Sequence, residues 1–197
     1  GDRYGPLRLP QDALDLARCL GVTLDVMTVT ALDAEPERAE QRLALVRAEA
    51  QALGVQCKDI VRQAADRVRA VAEAADAADC QLLVIGRTPP KGAAERKTGA
   101  HAARIIDQAP GHVLVVPKDA GPCRRGILVG YDANPSSQPA VEMAAQLAKA
   151  IKVPVTLVTA VKEGSPSAPV LTELAAAAVA ALRLEGVEAE ARTVAAA

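Results

Sequence analysis

Residues 82–101 read LLVIGRTPPKGAAERKTGAH, and they carry the clearest information about the fold. An apolar run ends at Gly86, a polar loop containing Gly92 follows, and Gly99 precedes a run of helix-forming residues. Short apolar runs bounded by glycine are typical of buried strands in parallel sheets. Ligands in open α/β sheets bind at the carboxyl ends of strands, where glycines and helix N-termini present N–H groups to anions. The stretch therefore predicts a strand, a phosphate-binding loop and a helix, in that order.

The alternation of strand and helix continues on both sides of this stretch. Gly21 and Gly54 end two helical patterns, as glycine often does at a helix C-terminus. The periodicity predicts helices over residues 11–20, 37–53, 66–78 and 99–108, and strands over residues 22–29, 55–61, 81–85 and 112–116. Buried strands that alternate with amphipathic helices predict an α/β fold, an open parallel sheet with helices on both faces.

After a connector at residues 119–125 the pattern starts again, which indicates an internal repeat. Strands are predicted over residues 127–131, 153–161 and 186–194, and helices over residues 135–150 and 170–184. Residues 54–56 match residues 186–188, residues 27–29 match residues 158–160, and residues 13–17 match residues 140–144. We therefore predict one domain over residues 1–118 and a partial second copy over residues 119–197.

The two copies are incomplete in complementary ways. The second copy opens with a strand at residues 127–131, whereas the first offers only residues 1–10, which contain no apolar run. The second copy stops at Ala197, before the strand, glycine loop and last strand that the first contains. We expect either that the sequence is a fragment or that the strand at residues 127–131 fills the empty place in the first copy.

Composition excludes several classes of function. Half of the residues are hydrophobic, 24% are charged and the net charge is −1, which is typical of a globular domain without a basic surface for nucleic acid. Two Tyr and no Phe or Trp exclude aromatic platforms for single strands. The four cysteines are scattered, and no signal peptide or membrane-spanning run is visible, so we expect a cytoplasmic protein without a metal site or a membrane partner.

The chain resembles the universal stress protein (UspA-like) family, in a tandem arrangement. The run ILVGYDANPS at residues 127–136 resembles the first strand of that family, and residues 82–92 and 109–117 resemble its fourth strand, phosphate loop and last strand. The resemblance implies an adenine nucleotide alpha hydrolase-like, Rossmann-like fold with five parallel strands in the order 3-2-1-4-5. It also implies a homodimer, often formed through the last strand, here residues 113–116. The place that the first copy leaves empty would be central in this sheet.

ATP-binding members of the family carry the motif G-x2-G-x9-G-[ST]. Gly86 and Gly99 match its first and third glycines, but Pro89 replaces the second and Ala100 replaces the hydroxyl residue. The resemblance implies that ATP, with Mg²⁺, would bind at Gly86, Arg87, Gly92, Gly99, Ala100, Val29 and Asp132, with adenine resting on aliphatic groups such as Val29.

Three functions remain open from the sequence. The first is a stress-response regulator that binds an adenine nucleotide, and the second is a dimeric scaffold of the same family without nucleotide, which Pro89 and Ala100 favour. The third is an enzyme, which no Ser-His-Asp set, metal cluster or other catalytic residue supports. Asp132 could contact a nucleotide or, with Asn134, cap the following helix, and His101 is expected on a helix surface.

Overall fold

The computed structural model describes residues 8–35, 37–87, 100–117, 125–162 and 164–196. The chain divides into two compact units, Gly1–Gly121 and Pro122–Ala197. None of the helices in the described ranges is both long and apolar enough to cross a membrane.

Unit 1 alternates four helices with four strands. In chain order these are α1 (Arg8–Leu20), β1 (Leu24–Thr30), α2 (Glu37–Ala52), β2 (Cys57–Gln63), α3 (Arg67–Ala77), β3 (Leu82–Arg87), α4 (Ala100–Gln108) and β4 (His112–Pro117). Gly21 and Gly54 adopt positive φ angles of 68° and 70° directly after α1 and after the last turn of α2, a conformation that glycine adopts without strain. Asp66 caps α3 by accepting hydrogen bonds from the N–H groups of Val68 and Arg69.

The strands of unit 1 form two separate parallel pairs. β1 pairs with β2 from Leu24 opposite Cys57, and β3 pairs with β4 from Leu82 opposite His112. The α/β class and the parallel strands are confirmed, but these strands form two-stranded sheets instead of one five-stranded sheet. The expectation that residues 127–131 lie between the two pairs is wrong, because that strand pairs only within unit 2.

Helices lie over both faces of unit 1. α1 and α2 pack against each other and against β1, where the fully buried Leu14 meets Val26 in a core with Val46. Because side chains alternate along a strand, the other face of β1 is the one that α3 covers. α1 also contacts β3, and α3 packs on α4, which in turn contacts β3. The helices therefore bridge the two strand pairs on both faces.

Unit 2 is a single three-stranded parallel sheet in the order β5-β6-β7. Its elements are β5 (Ile127–Gly130), a 3₁₀ turn (Pro135–Ser137), α5 (Gln138–Ile151), β6 (Val155–Lys162), α6 (Ala168–Leu184) and β7 (Ala189–Ala196). Central strand β6 supplies Val155, Leu157 and Thr159 to the core, each 1% exposed or less. Leu128 of β5, which points to the other face, is 70% exposed.

The internal repeat is visible in individual hydrogen bonds. The Val22 N–H donates to the Ala17 carbonyl at 3.1 Å after α1, and the Val153 N–H donates to the Ala148 carbonyl at 3.2 Å after α5. The first strands that follow also start alike, since Leu24 and Val155 both donate across to the neighbouring strand at 2.8 Å. The pairing of Ala17 with Ala148 and of Leu24 with Val155 agrees with the predicted match of strand residues 27–29 with 158–160. The predicted match of helix residues 13–17 with 140–144 differs from this pairing by one helical turn.

Candidate functional site

Four of the predicted nucleotide-binding residues lie at the ends of helices or strands in unit 1. Val29 is the penultimate residue of β1, Gly86 and Arg87 close β3, and Ala100 is the first residue of α4. Gly92 and Gly99 lie outside the described residues. Asp132 belongs to unit 2 and is described there.

Cys80 lies just before β3 and is partly buried. Burial raises the pKa of its thiol, the Leu82 N–H lowers it, and the carboxylate of Asp25 raises it.

Gly86 is exposed and has no unusual backbone angle. A Cβ atom added there would lie 3.3 Å from Cδ2 of Leu9 in α1, a tight contact with the flexible end of a side chain. The absence of a side chain at Gly86 thus lets the Leu9 side chain of α1 lie close to the end of β3.

A shallow pocket of about 360 Å³ lies where α3 and α4 begin. It is lined by two arginines, one histidine, one aspartate and two apolar residues: Arg67, Arg104, His101, Asp66, Ala65 and Val68. Both helices turn their N-terminal ends, which carry partial positive charge, toward this region. The pocket therefore combines two helix N-termini with two guanidinium groups and an imidazole.

The one carboxylate of the pocket is already engaged. Asp66 accepts hydrogen bonds from the N–H groups of Val68 at 3.0 Å and Arg69 at 3.3 Å, and from Nη2 of Arg104 at 2.9 Å. The Arg69 N–H and then the Arg104 guanidinium hold the pKa of Asp66 below its usual value. Arg67 has no hydrogen bond or ion pair within the described ranges, so its charge is available to a ligand.

The sequence predicts a helix that begins at residue 66, but it does not predict that Arg67, His101 and Arg104 line one pocket. Arg104 follows Ala100 by four residues, a spacing that places both on one face of a helix. From this spacing alone, Arg104 could have been predicted to lie on the same side of the helix as the proposed phosphate site. The approach of Arg67 to α4 had no local signal, because it depends on how α3 packs against α4.

Asp132 of unit 2 organises the turn that follows β5. Its carboxylate accepts hydrogen bonds from the Asn134 N–H at 3.0 Å, from Nδ2 of Asn134 at 2.6 Å and from Oγ of Ser137 at 2.9 Å. The Asn134 side chain, followed by its N–H and by the Ser137 hydroxyl, lowers the pKa of Asp132. Asn134 itself makes no side-chain cap of the 3₁₀ turn. These hydrogen bonds to Asp132 all lie within the turn at residues 132–137.

Metal binding has no support among the residues that the structure describes. No group of three or more His, Cys, Asp or Glu side chains in these ranges is arranged to hold a metal ion.

Comparison with known proteins gives the family. The model of the universal stress protein family matches residues 8–117 and again residues 124–197, which confirms the tandem arrangement. No protein of curated function matches the sequence.

Solved structures show the same fold at low sequence identity. A universal stress protein from Archaeoglobus fulgidus DSM 4304 is similar with a TM-score of 0.78 at 17% identity, over 100% of this chain and 77% of that chain. A functionally unknown protein from Pseudomonas aeruginosa PAO1 gives a TM-score of 0.70 at 17% identity, over 98% and 71%. The cytoplasmic domain of a prokaryotic cation chloride cotransporter gives 0.59 at 16% identity, over 95% and 75%. The two family matches together span nearly the whole sequence, so the chain belongs to the universal stress protein family.

Proposed function

We propose that this chain is a stress-response protein that binds an adenine nucleotide at the starts of α3 and α4 in unit 1, and that it acts through binding instead of catalysis. The observation that carries the proposal is the basic pocket lined by Arg67, His101 and Arg104. Helix N-termini that converge with arginines form a favourable environment for phosphate oxygens.

Each part of the nucleotide has a candidate partner. The phosphates would lie at the first turn of α4, whose opening N–H groups have no acceptor within the helix. Arg104 is held in place by Asp66, and Arg67, which has no partner among the described residues, lines the same pocket. The adenine ring would rest on aliphatic groups such as Val29, because the chain has neither Phe nor Trp. Mg²⁺ would arrive with ATP, held by the phosphates themselves.

The alternative is a dimeric scaffold of the same family that binds no nucleotide. Ala100 offers no hydroxyl group at the start of α4, and Pro89 in the preceding loop offers no N–H. Among the described strands β4 pairs only with β3, and a strand edge without a neighbour can pair with a second copy. Sedimentation velocity tests this candidate, which predicts a dimer whose stability does not depend on ATP.

Isothermal titration of the full chain with ATP separates the two functions. We expect saturable heat with ATP and weaker heat with adenosine, because the phosphates supply most of the electrostatic attraction. Arg67→Ala should weaken ATP binding about tenfold, since a hydrogen bond to a charged group contributes roughly 1.5–3 kcal/mol. Arg42→Ala is the matched control, because Arg42 is an exposed arginine of α2 outside the pocket.

The Arg42→Ala control distinguishes ATP binding in the pocket from general attraction of ATP to positive charge on the chain. Equal losses in the two arginine variants would indicate general charge attraction and contradict the proposed site. No heat with ATP for folded protein would leave the scaffold as the function of this chain.

A further inference from the structure

Helix α6 of unit 2 exposes large apolar side chains to solvent. Val170 is 56% exposed, Leu174 is 44% exposed and Leu184 is 91% exposed. The second helix of unit 1, α2, differs, because its exposed positions carry charged side chains such as Arg38 and Glu40. A helix that is apolar on almost every side is normally buried, so α6 has a face that is suited to contact with a further surface.

The exposed apolar residues recur at alternating intervals of four and three along α6. They form one stripe, here called the α6 stripe, which consists of Val170, Leu174, Ala177, Ala181 and Leu184. Alternation of four and three is the heptad spacing by which one helix packs along another. The stripe is about 21 Å long, from the rise per residue of a helix. Its period and length therefore match a second helix.

The α6 stripe lies on the side of α6 that is turned away from β7. The opposite side of the helix faces β7, because Oγ1 of Thr172 lies 3.2 Å from Oγ1 of Thr193 and Nη2 of Arg183 donates to the Ala189 carbonyl at 2.7 Å. α5 packs on β5 and β6, while α6 packs on β6 and β7, and both helices contribute to one core. The stripe therefore lies on the side of α6 that is nearer to α5.

Carboxylates border the α6 stripe on both sides. Glu173 lies one helical turn from two of the stripe residues, and among the described residues no hydrogen bond or ion pair engages its carboxylate. Glu142 lies two turns before Lys149 on α5, and Nζ of Lys149 donates to Oε2 of Glu185 at 2.8 Å, so Glu142 is on the side of α5 that faces α6. Lys149 and Glu185 compensate each other, whereas Glu142 accepts only a neutral hydrogen bond, from Gln138. The border of the stripe is therefore negatively charged.

This charge distinguishes between the surfaces that could cover the stripe. Two α6 stripes packed on each other would bring the Glu173 carboxylates of both copies to one seam, and an anionic lipid surface would be repelled. We propose that the α6 stripe is a docking site for an amphipathic helix of another protein, whose apolar residues follow the heptad spacing and are bordered by Lys or Arg side chains. Recognition of this kind buries the apolar seam and uses the bordering charges for selectivity. The site is separate from the pocket proposed for a nucleotide in unit 1.

The test uses the full chain and two synthetic peptides, each about three heptads long, with Leu at the a and d positions and either Lys or Glu at the e and g positions. Like charges at e and g prevent each peptide from pairing with itself. Binding of the fluorescently labelled peptides is measured by anisotropy. We expect saturable binding of the Lys peptide and about tenfold weaker binding of the Glu peptide, because only the Lys peptide complements Glu142 and Glu173. The difference should become smaller as the salt concentration rises.

Two leucine variants locate the binding surface. Leu174→Gln removes an apolar side chain from the middle of the stripe and should weaken binding of the Lys peptide about tenfold. Leu128→Gln is the matched control, because Leu128 is 70% exposed in the same unit but belongs to β5, outside the stripe, and this variant should bind as the wild type does. Far-UV circular dichroism and the urea midpoint verify that both variants fold.

A charge-reversed variant tests the border of the stripe independently of its apolar residues. Glu142 and Glu173 are both exposed, so Glu142→Lys combined with Glu173→Lys leaves the core of unit 2 unchanged. This double variant should reverse the preference and bind the Glu peptide about tenfold more tightly than the Lys peptide. An unchanged preference for the Lys peptide would contradict the role of the two carboxylates and overturn the proposal.

Other results would assign the stripe to a different surface or to none. Equal binding of the two peptides to the wild type would indicate apolar adhesion without selectivity and would overturn the proposal, as would equal losses in the two leucine variants. A dimer of the chain in sedimentation velocity that Leu174→Gln dissociates would assign the stripe to a second copy instead. Absence of saturable binding to folded protein would also refute it.

Discussion

Thr159 lies in the centre of β6 and is 1% exposed, and within the described residues its Oγ1 atom has no hydrogen-bond partner. A buried hydroxyl without a partner costs roughly 1–3 kcal/mol in proteins. Valine has nearly the same shape and replaces the hydroxyl by a methyl group, so packing in the core is preserved. Thr159→Val should therefore raise the free energy of unfolding of unit 2 by about 1–2 kcal/mol.

The assay is urea denaturation followed by tyrosine fluorescence, because Tyr131 packs against the core that contains the neighbours of Thr159. The midpoint should rise while the slope with denaturant stays unchanged, since the surface exposed on unfolding is the same. Thr156→Val is the matched control: Oγ1 of Thr156 donates to Oε1 of Glu190 at 3.2 Å in an exposed setting, so this change should be nearly neutral. A Thr159→Val protein that is no more stable than the control would refute the reasoning.

Three further predictions concern unit 1. Gly111→Ala should lower the free energy of unfolding of unit 1 by about 2 kcal/mol or more, because the added Cβ would lie 2.8 Å from the Cys80 carbonyl oxygen. In the control variant Gly86→Ala the added Cβ meets only a flexible side chain, so the loss should be less than about 1 kcal/mol. Equal urea midpoints for the two variants would contradict this prediction. The pKa of Asp66 is lowered in the folded state, so its stabilisation is present above about pH 4 and is lost as the pH falls through the folded value. Wild type and Asp66→Asn should therefore differ in free energy of unfolding at neutral pH but not in acid, as measured by urea titration at both pH values. The same difference at both pH values would contradict a stabilising role of the ionised Asp66 carboxylate. Restoring the family motif with Pro89→Gly and Ala100→Ser should raise ATP affinity about tenfold in calorimetry, and unchanged affinity would argue against a phosphate site at the start of α4.

The order of strands and helices could be predicted from the sequence because its determinants are local. The apolar run before Gly86 and the glycines after α1 and α2 act within a few residues of the elements they define. The pairing of the strand at residues 127–131 was predicted wrongly, because pairing depends on which helix follows the strand. β5 leads into α5, which packs on β5 and β6, so the strand belongs to its own unit.

The candidate site was predicted only in part, for a similar reason. Gly86 and Ala100 occupy positions of the family motif and Arg87 follows Gly86 in sequence, whereas Arg67 lines the pocket because α3 and α4 pack together. The helix match between the repeats was displaced by one turn because alanine-rich helices offer few distinctive residues for alignment. The hydrogen bonds that follow α1 and α5 show which residues of the two helices are equivalent, and these bonds cannot be identified from the sequence.

The residue directly after the first helix of each unit is left-handed, but its type differs between the units. Gly21 occupies this position in unit 1, while Lys152 occupies it in unit 2 with a φ of 56°. A side chain in this conformation costs about 1 kcal/mol relative to glycine. The turn in unit 2 is therefore held by the helix before it and the strand after it, and not by the conformational preference of the residue at its centre.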